Sequence, residues 1–284
     1  MPYSYLANPR ETRAVLERHD LAPRHHLGQN FLVNDDVIGK ILSLAELEPD
    51  DVVYEVGPGI GTLTVALLPR VRRVVAVEAD RDLPRVLAET CAADGERLSL
   101  VQGDALRVDA ARLAEAAGAP PTKLVSNLPY QVAATLILDV LQRMPSIERL
   151  VVMVQAEVAD RIAARPGSKA YGAYTAKLAL YGAVTGRFEV GPGNFMPPPH
   201  VDSAVVRIDR SAAQCGDPSR VAEVIDAAFA QRRKTIRNSM SAKGFDKAAL
   251  DEAFLATGID GKARAETLEP SDFVCLSQAV YKLF

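Results

Sequence analysis

The chain alternates short runs of β-branched residues with helical patterns through its first two-thirds, and this alternation constrains its fold more than any other feature. Five runs predict buried strands, at 52–56, 74–78, 98–102, 123–126 and 150–154. Helical patterns precede and separate them, at 35–46, 62–69, 81–94, 109–117 and 132–143. Strands that alternate with helices in this way predict βαβ units, in which a parallel sheet is covered by helices on both faces.

The pattern changes beyond residue 154 and the alternation stops after Asp209, which predicts a second, smaller domain. Two further helices and two short strands are predicted first, at 155–164, 172–184, 188–190 and 203–208. Only helices are predicted beyond the linker at 211–219, namely 219–231, 246–256 and 271–283. We therefore expect an α/β domain over 1–210, in which 1–23 form an N-terminal extension, and a small helical domain over 211–284.

Composition excludes several classes of protein. The 284 residues are 48% hydrophobic and 24% charged, as in ordinary globular proteins. Cys91, Cys215 and Cys275 show no C-x-x-C spacing and predict neither a zinc site nor a disulfide framework. The charged N-terminus does not resemble a signal peptide, and no apolar run approaches the roughly 20 residues of a membrane span. These features predict a cytoplasmic protein without a metal or a membrane partner.

The net charge of −3 argues weakly against a nucleic-acid partner, because binding to phosphates requires clustered positive charge. The segment 220–243 nevertheless holds six basic residues against Glu223 and Asp226, a local balance of +4. The candidate RNA-binding residues are Arg232, Arg233, Lys234 and Arg237. The last of these lies four residues after Arg233, so the two are expected to share a helical face. The alternative is an ordinary solvated helix surface.

A glycine-rich turn follows the first predicted strand and opens the next helix. Gly57, Gly59 and Gly61 permit positive φ and allow a ligand to approach the backbone closely. Glu78 ends the next strand, where a carboxylate can accept hydrogen bonds from both ribose hydroxyls of an adenosine cofactor. Thr62 stands where the dinucleotide fingerprint requires its third glycine. The pattern therefore favours a nucleoside cofactor without phosphates, S-adenosylmethionine, although the glycines would also suit a tight turn alone.

Asp104 and the tetrapeptide 127–130 follow the third and fourth strands. Asp104 can accept from the adenine amino group of a cofactor, although an Asp after a strand is more often a cap or turn former. The side-chain oxygen of Asn127 and the carbonyl of Leu128 can converge on an exocyclic amine and direct its lone pair at a methyl group. Tyr130 offers a stacking face for the base. In isolation this segment would be interpreted as an Asn-Pro-type turn. Because it follows the glycine-rich turn, Glu78 and Asp104, which together indicate a cofactor site, it predicts a methylation site.

Together these motifs resemble the ribosomal RNA adenine N6,N6-dimethyltransferases, and most closely the bacterial small-subunit enzymes linked to kasugamycin sensitivity. The matching segments occur in family order, at 27–32, 55–64, 77–82, 103–105, 127–130, 168–172, 195–206 and 231–238. The resemblance implies a Rossmann-like class I S-adenosylmethionine-dependent methyltransferase domain with a small C-terminal helical domain.

The resemblance also implies which residues bind the cofactor. Asn30 and Leu32 would contact the methionine end of S-adenosylmethionine, and Gly57 would contact it through its backbone. Glu78 would hold the ribose and Asp104 the adenine. Gln29 is expected to support the loop that carries the first two contacts, and Asn127 would lie at the junction of cofactor and substrate.

The same resemblance assigns the catalytic residues. Asn127, with Leu128, would orient the target amine, while Tyr130 and Phe195 would stack on the target base. A core position is the alternative for Phe195. His25 and His26 replace the usual basic pair of the family, so the charge of that loop is an open question.

The implied activity is transfer of two methyl groups to N6 of each of two adjacent adenosines in a loop near the 3′ end of 16S ribosomal RNA. The implied partner is the small (30S) ribosomal subunit, late in its assembly, and the enzyme is expected to act as a monomer. Three alternatives stay open: a macrolide-resistance methyltransferase acting on large-subunit RNA, a non-catalytic assembly or transcription factor that keeps the fold, and an NAD-dependent dehydrogenase.

Overall fold

The computed structural model describes residues 2–23, 29–211 and 217–282. The strands within these ranges are β1 (Phe31–Leu32), β2 (Val52–Val56), β3 (Arg73–Glu78), β4 (Leu98–Gln102), β5 (Lys123–Asn127), β6 (Arg149–Gln155), β7 (Gly182–Val190), β8 (Phe195–Met196) and β9 (Ser203–Arg210). The helices are α1 (Pro9–Arg18), α2 (Asp35–Ala45), α3 (Thr62–Leu67), α4 (Leu83–Thr90), α5 (Ala110–Ala117), α6 (Ala133–Arg143), α7 (Ala156–Ile162), α8 (Ala173–Leu178), α9 (Pro218–Phe229), α10 (Ile236–Ala242), α11 (Lys247–Thr257) and α12 (Pro270–Lys282).

Seven strands form one sheet in the order β4-β3-β2-β5-β6-β9-β7. The pairs from β4 to β6 are parallel, and β9 runs antiparallel to β6. Strand order reverses between β2 and β5, and open α/β sheets bind ligands at the carboxyl ends of the strands beside such a switch point. The predicted α/β fold with a mostly parallel sheet is confirmed, and β1 and β8 form a separate two-stranded ladder.

Apolar periodicity explains why the helices lie where they do. Ile38, Ile41 and Leu42, the stripe that predicted α2, are all buried in the core that includes strand residues of the sheet. Asn34 caps this helix by accepting a hydrogen bond from the backbone of Asp36. Helix α9 begins in the same way, because the Asp217 carboxylate accepts hydrogen bonds from the backbone N–H groups of Ser219 and Arg220.

Two elements differ from the sequence-based expectation. The helix predicted over 172–184 ends at Leu178, and Gly182–Val190 is a nine-residue strand of alternating exposure. Glycines and β-branched residues in this stretch favour a strand over continued helix. The short helix α10 was not predicted, because Ile236 and Met240 are the buried apolar residues of a segment that is otherwise largely polar.

The chain folds into two compact units, and the division differs from a single boundary near residue 210. The first unit contains residues 1–159 and 184–210, and the second contains 160–183 and 211–284. Tyr171, Ala176 and Leu180 belong to the same buried cluster as helices α9 to α12. The chain therefore leaves the sheet unit after β6 and returns to it as β7 and β9, a path that composition alone does not reveal.

The N-terminal extension is an ordered part of the first unit. Leu6, Val15 and Leu16 are buried in one cluster with Phe31, Ile60 and Leu83. The backbone of Ser4 donates to the Asp35 carboxylate at 2.8 Å, and the Tyr5 hydroxyl donates to the Thr90 carbonyl at 2.9 Å. Residues for which the sequence suggested no role thus pack beside the elements that carry the glycine-rich turn.

Candidate functional site

A cleft of about 210 Å³ lies at the carboxyl ends of β2, β3, β4 and β5, at the switch point of the sheet. Its lining includes residues from the loop before β1 and from the segment that follows each of these four strands. Eight residues assigned to the site from the sequence line it: Asn30, Leu32, Gly57, Glu78, Asp104, Asn127, Leu128 and Tyr130. The structure therefore brings together side chains that are up to 100 positions apart in the chain.

The glycine-rich turn adopts the backbone that its sequence suggested. Gly57 and Gly61 have φ of +64° and +91°, in the left-handed region that favours glycine. A Cβ at position 61 would also lie 3.1 Å from side-chain atoms of Thr90 and Cys91, so this glycine permits close packing on α4. The turn is therefore both a tight turn required for packing and a part of the cleft lining.

Glu78 is 5% exposed and is held by the loops around it. Its carboxylate accepts hydrogen bonds from the backbone N–H of Gly59 at 3.3 Å and of Asp80 at 2.8 Å. Burial raises the pKa of Glu78, and these backbone donors lower it in opposition. Each carboxylate oxygen can accept more than one hydrogen bond, so the group can also receive a pair of ligand hydroxyls.

Asp80 is a buried residue to which the sequence argument gave no role. Its carboxylate accepts from the Gln29 side chain at 2.9 Å and from the backbone of Asp82 at 3.0 Å. This pair ties the loop before β1 to the loop after β3, which agrees with the expectation that Gln29 supports the first loop. The signal was available in the sequence as an acid two positions after Glu78 in a segment that must turn.

Asp104 is fixed as a turn-forming residue and also lines the cleft. Its Oδ1 accepts from the backbone of Leu106 at 3.0 Å, as a turn-capping Asp does, and its Oδ2 lies 3.6 Å from Arg107. The side chain is about half exposed at the cleft. A carboxylate fixed in this way remains accessible to a ligand amino group.

Asn127 and Tyr130 are both anchored at the end of β5. The Asn127 amide nitrogen donates to the Asn30 carbonyl at 3.4 Å. The amide oxygen takes no part in this hydrogen bond and can accept one from a ligand. The Leu128 N–H donates to the Met153 carbonyl at 3.1 Å, so the turn is fixed to β6. The Tyr130 hydroxyl lies 2.6 Å from the Ser203 hydroxyl. Partial burial raises the pKa of Tyr130, which stays a neutral phenol at physiological pH.

Phe195 is not brought to the cleft. It is 4% exposed, pairs with Leu32 in the β1–β8 ladder, and belongs to the hydrophobic core of the first unit. A stacking platform requires an exposed ring face, which this ring does not offer. Phe195 is therefore a core residue, which is the alternative considered above. Through the ladder, it supports the cleft residue Leu32.

Glu55 and Thr62 line the cleft and had no individual role in the sequence argument. Glu55 is 2% exposed, and its carboxylate accepts from the Thr64 hydroxyl at 2.7 Å. Burial raises the pKa of Glu55 to about 8, with a smaller contribution from the neighbouring Glu78 carboxylate. The Thr62 hydroxyl is buried without a hydrogen-bond partner among the described residues, so it is available to a ligand.

The charge of the cleft tests which cofactor it can hold. Its lining contains the carboxylates of Glu78 and Asp104, together with Glu55, whose raised pKa keeps it largely protonated at neutral pH, and no Lys, Arg or His within the described parts of the chain. A pyrophosphate would meet this negative charge without a compensating cation. A phosphate-free cationic nucleoside meets favourable charge, and the unpartnered Thr62 hydroxyl adds a polar contact. The residues present fit S-adenosylmethionine.

The predicted basic residues lie on the second unit, in a different local structure from that expected. Arg232, Arg233 and Lys234 lie in the turn between α9 and α10, so a helical face shared by Arg233 and Arg237 is wrong. The helix predicted to residue 231 ends at Phe229, and Thr235 caps the next one. Arg237 forms an ion pair with Asp251 at 2.5 Å.

His25, His26 and Cys215 lie outside the described residues. Over residues 2–23, 29–211 and 217–282, no cluster of three or more His, Cys, Asp or Glu side chains is placed to hold a metal ion. No helix in those ranges combines the length and the apolar character needed to cross a membrane.

Comparison with known proteins agrees with the geometry of the cleft in indicating a methyltransferase. The family described as ribosomal RNA adenine dimethylase matches residues 21–282. The chain is 44% identical to the ribosomal RNA small subunit methyltransferase A of Thermobifida fusca, over 96% of each chain. It is also 44% identical to the protein of that name from Nocardia farcinica, over 96% of this chain and 94% of the relative.

Two solved structures share the fold. A dimethyladenosine transferase from Plasmodium falciparum superposes with a TM-score of 0.76 at 24% identity, covering 87% of this chain and 95% of the other. The 23S rRNA methyltransferase ErmE superposes with a TM-score of 0.67 at 26% identity, covering 89% of this chain and all of the other. The fold is thus one that a 23S rRNA methyltransferase also adopts.

Proposed function

Because the chain belongs to the ribosomal RNA adenine dimethylase family, we propose that it dimethylates N6 of two adjacent adenosines near the 3′ end of 16S ribosomal RNA. The substrate is the small ribosomal subunit late in its assembly, and the methyl donor is S-adenosylmethionine. The observation that carries the proposal is the cleft itself. Asn127 and Tyr130 line it together with the carboxylates of Glu78 and Asp104, and its described lining contains no basic residue.

The cleft residues divide the work of binding between them. Glu78 accepts from the ribose hydroxyls and Asp104 from the adenine amine, while Gly57, Asn30 and Leu32 hold the methionine end. When bound, S-adenosylmethionine supplies an electrophilic methyl group on a sulfonium. Carboxylates in a low-dielectric wall stabilise a cationic ligand, which is the charge argument for this assignment.

Asn127 and Leu128 orient the target amine. An aromatic amine is a poor nucleophile because its lone pair is delocalised into the ring. Two acceptors, the Asn127 side-chain oxygen and the Leu128 carbonyl, hold the two N–H groups, favour a more pyramidal nitrogen and stabilise its developing positive charge. Tyr130 stacks on the base, which must leave its own stack to enter the cleft. The methylated ammonium is acidic enough to lose its proton to water, so no strong base is needed.

A basic surface on the second unit supports the RNA partner. Arg232 bridges to Glu266 at 3.1 Å and donates to the Lys169 carbonyl at 2.9 Å. This arrangement brings the segment 165–169 next to the basic turn 232–234, although the two are distant in sequence. Arg233 and Lys234 are exposed, and among the described residues no carboxylate lies within ion-pair distance of either. Exposed unneutralised cations are what phosphate contacts require.

The alternatives predict different substrates. The macrolide-resistance type would use the same cleft on large-subunit RNA, a non-catalytic factor would bind the ribosome without methyl transfer, and a dehydrogenase would bind NAD. Identity of 44% to small-subunit enzymes, against 26% to ErmE, favours the small subunit. The cytoplasm, where ribosomes are assembled in bacteria, and action as a monomer complete the proposal.

The proposal is tested by offering purified, unmethylated small and large ribosomal subunits with labelled S-adenosylmethionine. We expect label in small subunits alone, and calorimetric binding of S-adenosylmethionine without binding of NAD. Label in large subunits would support the macrolide-resistance type instead. Cofactor binding without any transfer would favour a non-catalytic role.

A further inference from the structure

Tyr130 has an anchor that neither the motif nor the proposed reaction assigns. Its hydroxyl lies 2.6 Å from the hydroxyl of Ser203, 73 positions later in the chain. Ser203 is fully buried, whereas Tyr130 is half-buried and lines the cleft. The hydrogen bond therefore joins a residue that lines the cleft to a buried side chain of the first unit.

Ser203 is itself fixed from two sides. It is the first residue of β9 and lies opposite Gln155, the last residue of β6, in the antiparallel ladder. The preceding residue, Asp202, accepts a backbone hydrogen bond from Ala156 at 2.9 Å. A serine held by a central ladder has little freedom to move, so the phenol that it contacts is held in one place as well.

The turn that carries Tyr130 is joined to the same strand. Asn127 lies opposite Met153 of β6 in the parallel ladder, and the Leu128 N–H donates to the Met153 carbonyl. Asn127, which orients the amine, is thus held in place by β6 directly. The ring of Tyr130 is held by β6 through Ser203. Fixed spacing between these two groups is what a base needs if its amine is to reach Asn127 while its face rests on Tyr130.

We propose that Ser203 is a positioning residue for methyl transfer: its hydroxyl holds the ring of Tyr130 at the distance from Asn127 that the target base requires. This inference rests on the proposed function, because it concerns how that site accepts its base. Ser203 does not line the cleft and does not contact the reacting atoms. Its effect is therefore on the turnover of bound substrate rather than on the binding of cofactor.

The test compares four variants in methyl transfer to small subunits: Ser203→Ala, Ser203→Thr, Tyr130→Phe and the double variant Ser203→Ala with Tyr130→Phe. We expect Ser203→Ala to lower kcat about tenfold, the size typical of one lost hydrogen bond, with an unchanged KM for the cofactor. Ser203→Thr keeps the hydroxyl and is expected to retain most of kcat. In the Tyr130→Phe background, Ser203→Ala should have little further effect, because the bond is already absent.

Ser99→Ala is the matched control. Ser99 lies near the N-terminal end of β4, away from the cleft at the carboxyl ends of the strands, and its hydroxyl donates to the Ala116 carbonyl. Calorimetric cofactor binding by each variant verifies that it is folded. Wild-type kcat in Ser203→Ala, or losses from Ser203→Ala and Tyr130→Phe that multiply independently, would overturn the positioning role. Failure of the wild-type protein to methylate small subunits would instead overturn the proposed function, so the two failures are distinguishable.

Discussion

Single carboxyl and amide groups give the cleft its chemistry, and each is positioned by the end of a strand. Glu78, Asp104 and Asn127 end or follow β3, β4 and β5, and the parallel arrangement places them at one edge of the sheet. In the proposed function, the carboxylates bind the cofactor and the amide acts in turnover. The two attributions can be tested separately by substitution.

Replacing the amide of Asn127 is expected to lower turnover severely. Asn127→Ala removes the side-chain acceptor for the target amine, and loss of one preorganised acceptor typically costs about 10²–10³ in kcat. Labelled methyl transfer to small subunits measures the loss. Asn127 also lines the cofactor cleft, so calorimetry must show that S-adenosylmethionine still binds. Turnover equal to the wild type would remove Asn127 from the catalytic residues.

Glu55 predicts a pH dependence of stability. Its folded-state pKa of about 8 exceeds the ordinary value of 4.5 because of burial. Between these values the folded protein binds more protons than the unfolded chain, so the free energy of unfolding falls as pH rises. Glu55→Gln preserves an acceptor for Thr64 and should be more stable than the wild type at pH 9 by about 2–4 kcal/mol.

Denaturant unfolding of both proteins from pH 5 to pH 9 measures this difference. Glu115→Gln, on the exposed side of α5, controls for the loss of a carboxyl group as such. Parallel pH profiles for the wild type and Glu55→Gln would show that Glu55 does not titrate in this range.

The residues at strand ends were predictable because glycine, acid and amide residues recur at the carboxyl ends of successive strands. Ser203 was not, since it acts through the side chain of Tyr130, which only the fold brings near it. Phe195 shows the reverse case. The family resemblance implied a ring that stacks on the target base, but pairing with Leu32 in a two-residue ladder buries it.

At the scale of elements, period and β-branching located the five parallel strands to within a residue at each end, as they do for β2. They did not separate α8 from β7, because the apolar residues of 172–184 fit either a helical or a strand pattern over so short a stretch. The helix α1 was not anticipated either. It carries no motif, and its burial depends on Phe31, Ile60 and Leu83, which lie far along the chain.

This packing predicts that α1 supports the cofactor cleft. Leu16 is buried in the cluster that contains Phe31 and Leu83, two lining residues. Leu16→Ala should lower the free energy of unfolding by about 2–4 kcal/mol through the cavity left behind, and should weaken S-adenosylmethionine binding. Thermal unfolding and calorimetry measure the two effects.

Leu255→Ala is the matched control, because Leu255 is 87% exposed on α11 and should leave both quantities unchanged. Destabilisation by Leu16→Ala without any change in cofactor affinity would confine α1 to a structural role.

At the scale of the whole molecule, the net charge of −3 conceals an uneven distribution. The first unit holds 19 basic and 25 acidic residues, while the second holds 14 basic and 11 acidic residues. The acidic unit contains the cleft for a cationic nucleoside, and the basic unit contains the exposed turn 232–234. Total charge was therefore a poor guide to an RNA partner, and the division into units explains why.

The basic turn predicts a measurable salt dependence. Arg233→Glu should weaken binding to small-subunit RNA and reduce the slope of log affinity against log salt by about 1, since one phosphate contact is lost. Affinity for S-adenosylmethionine should be unchanged. Arg72→Glu, an exposed residue of the first unit just before β3, carries the same charge change as a control. Equal weakening by both variants would show that the turn makes no specific contribution.

The most direct test of the account is the identity of the modified nucleoside. Unmethylated small subunits are incubated with the protein and S-adenosylmethionine, and the nucleosides of their RNA are separated and weighed by mass spectrometry. We expect N6,N6-dimethyladenosine at two adjacent positions near the 3′ end, formed about a hundredfold or more faster by the wild type than by Asn127→Ala. Methylation of another base or another atom, or an equal yield from Asn127→Ala, would contradict it.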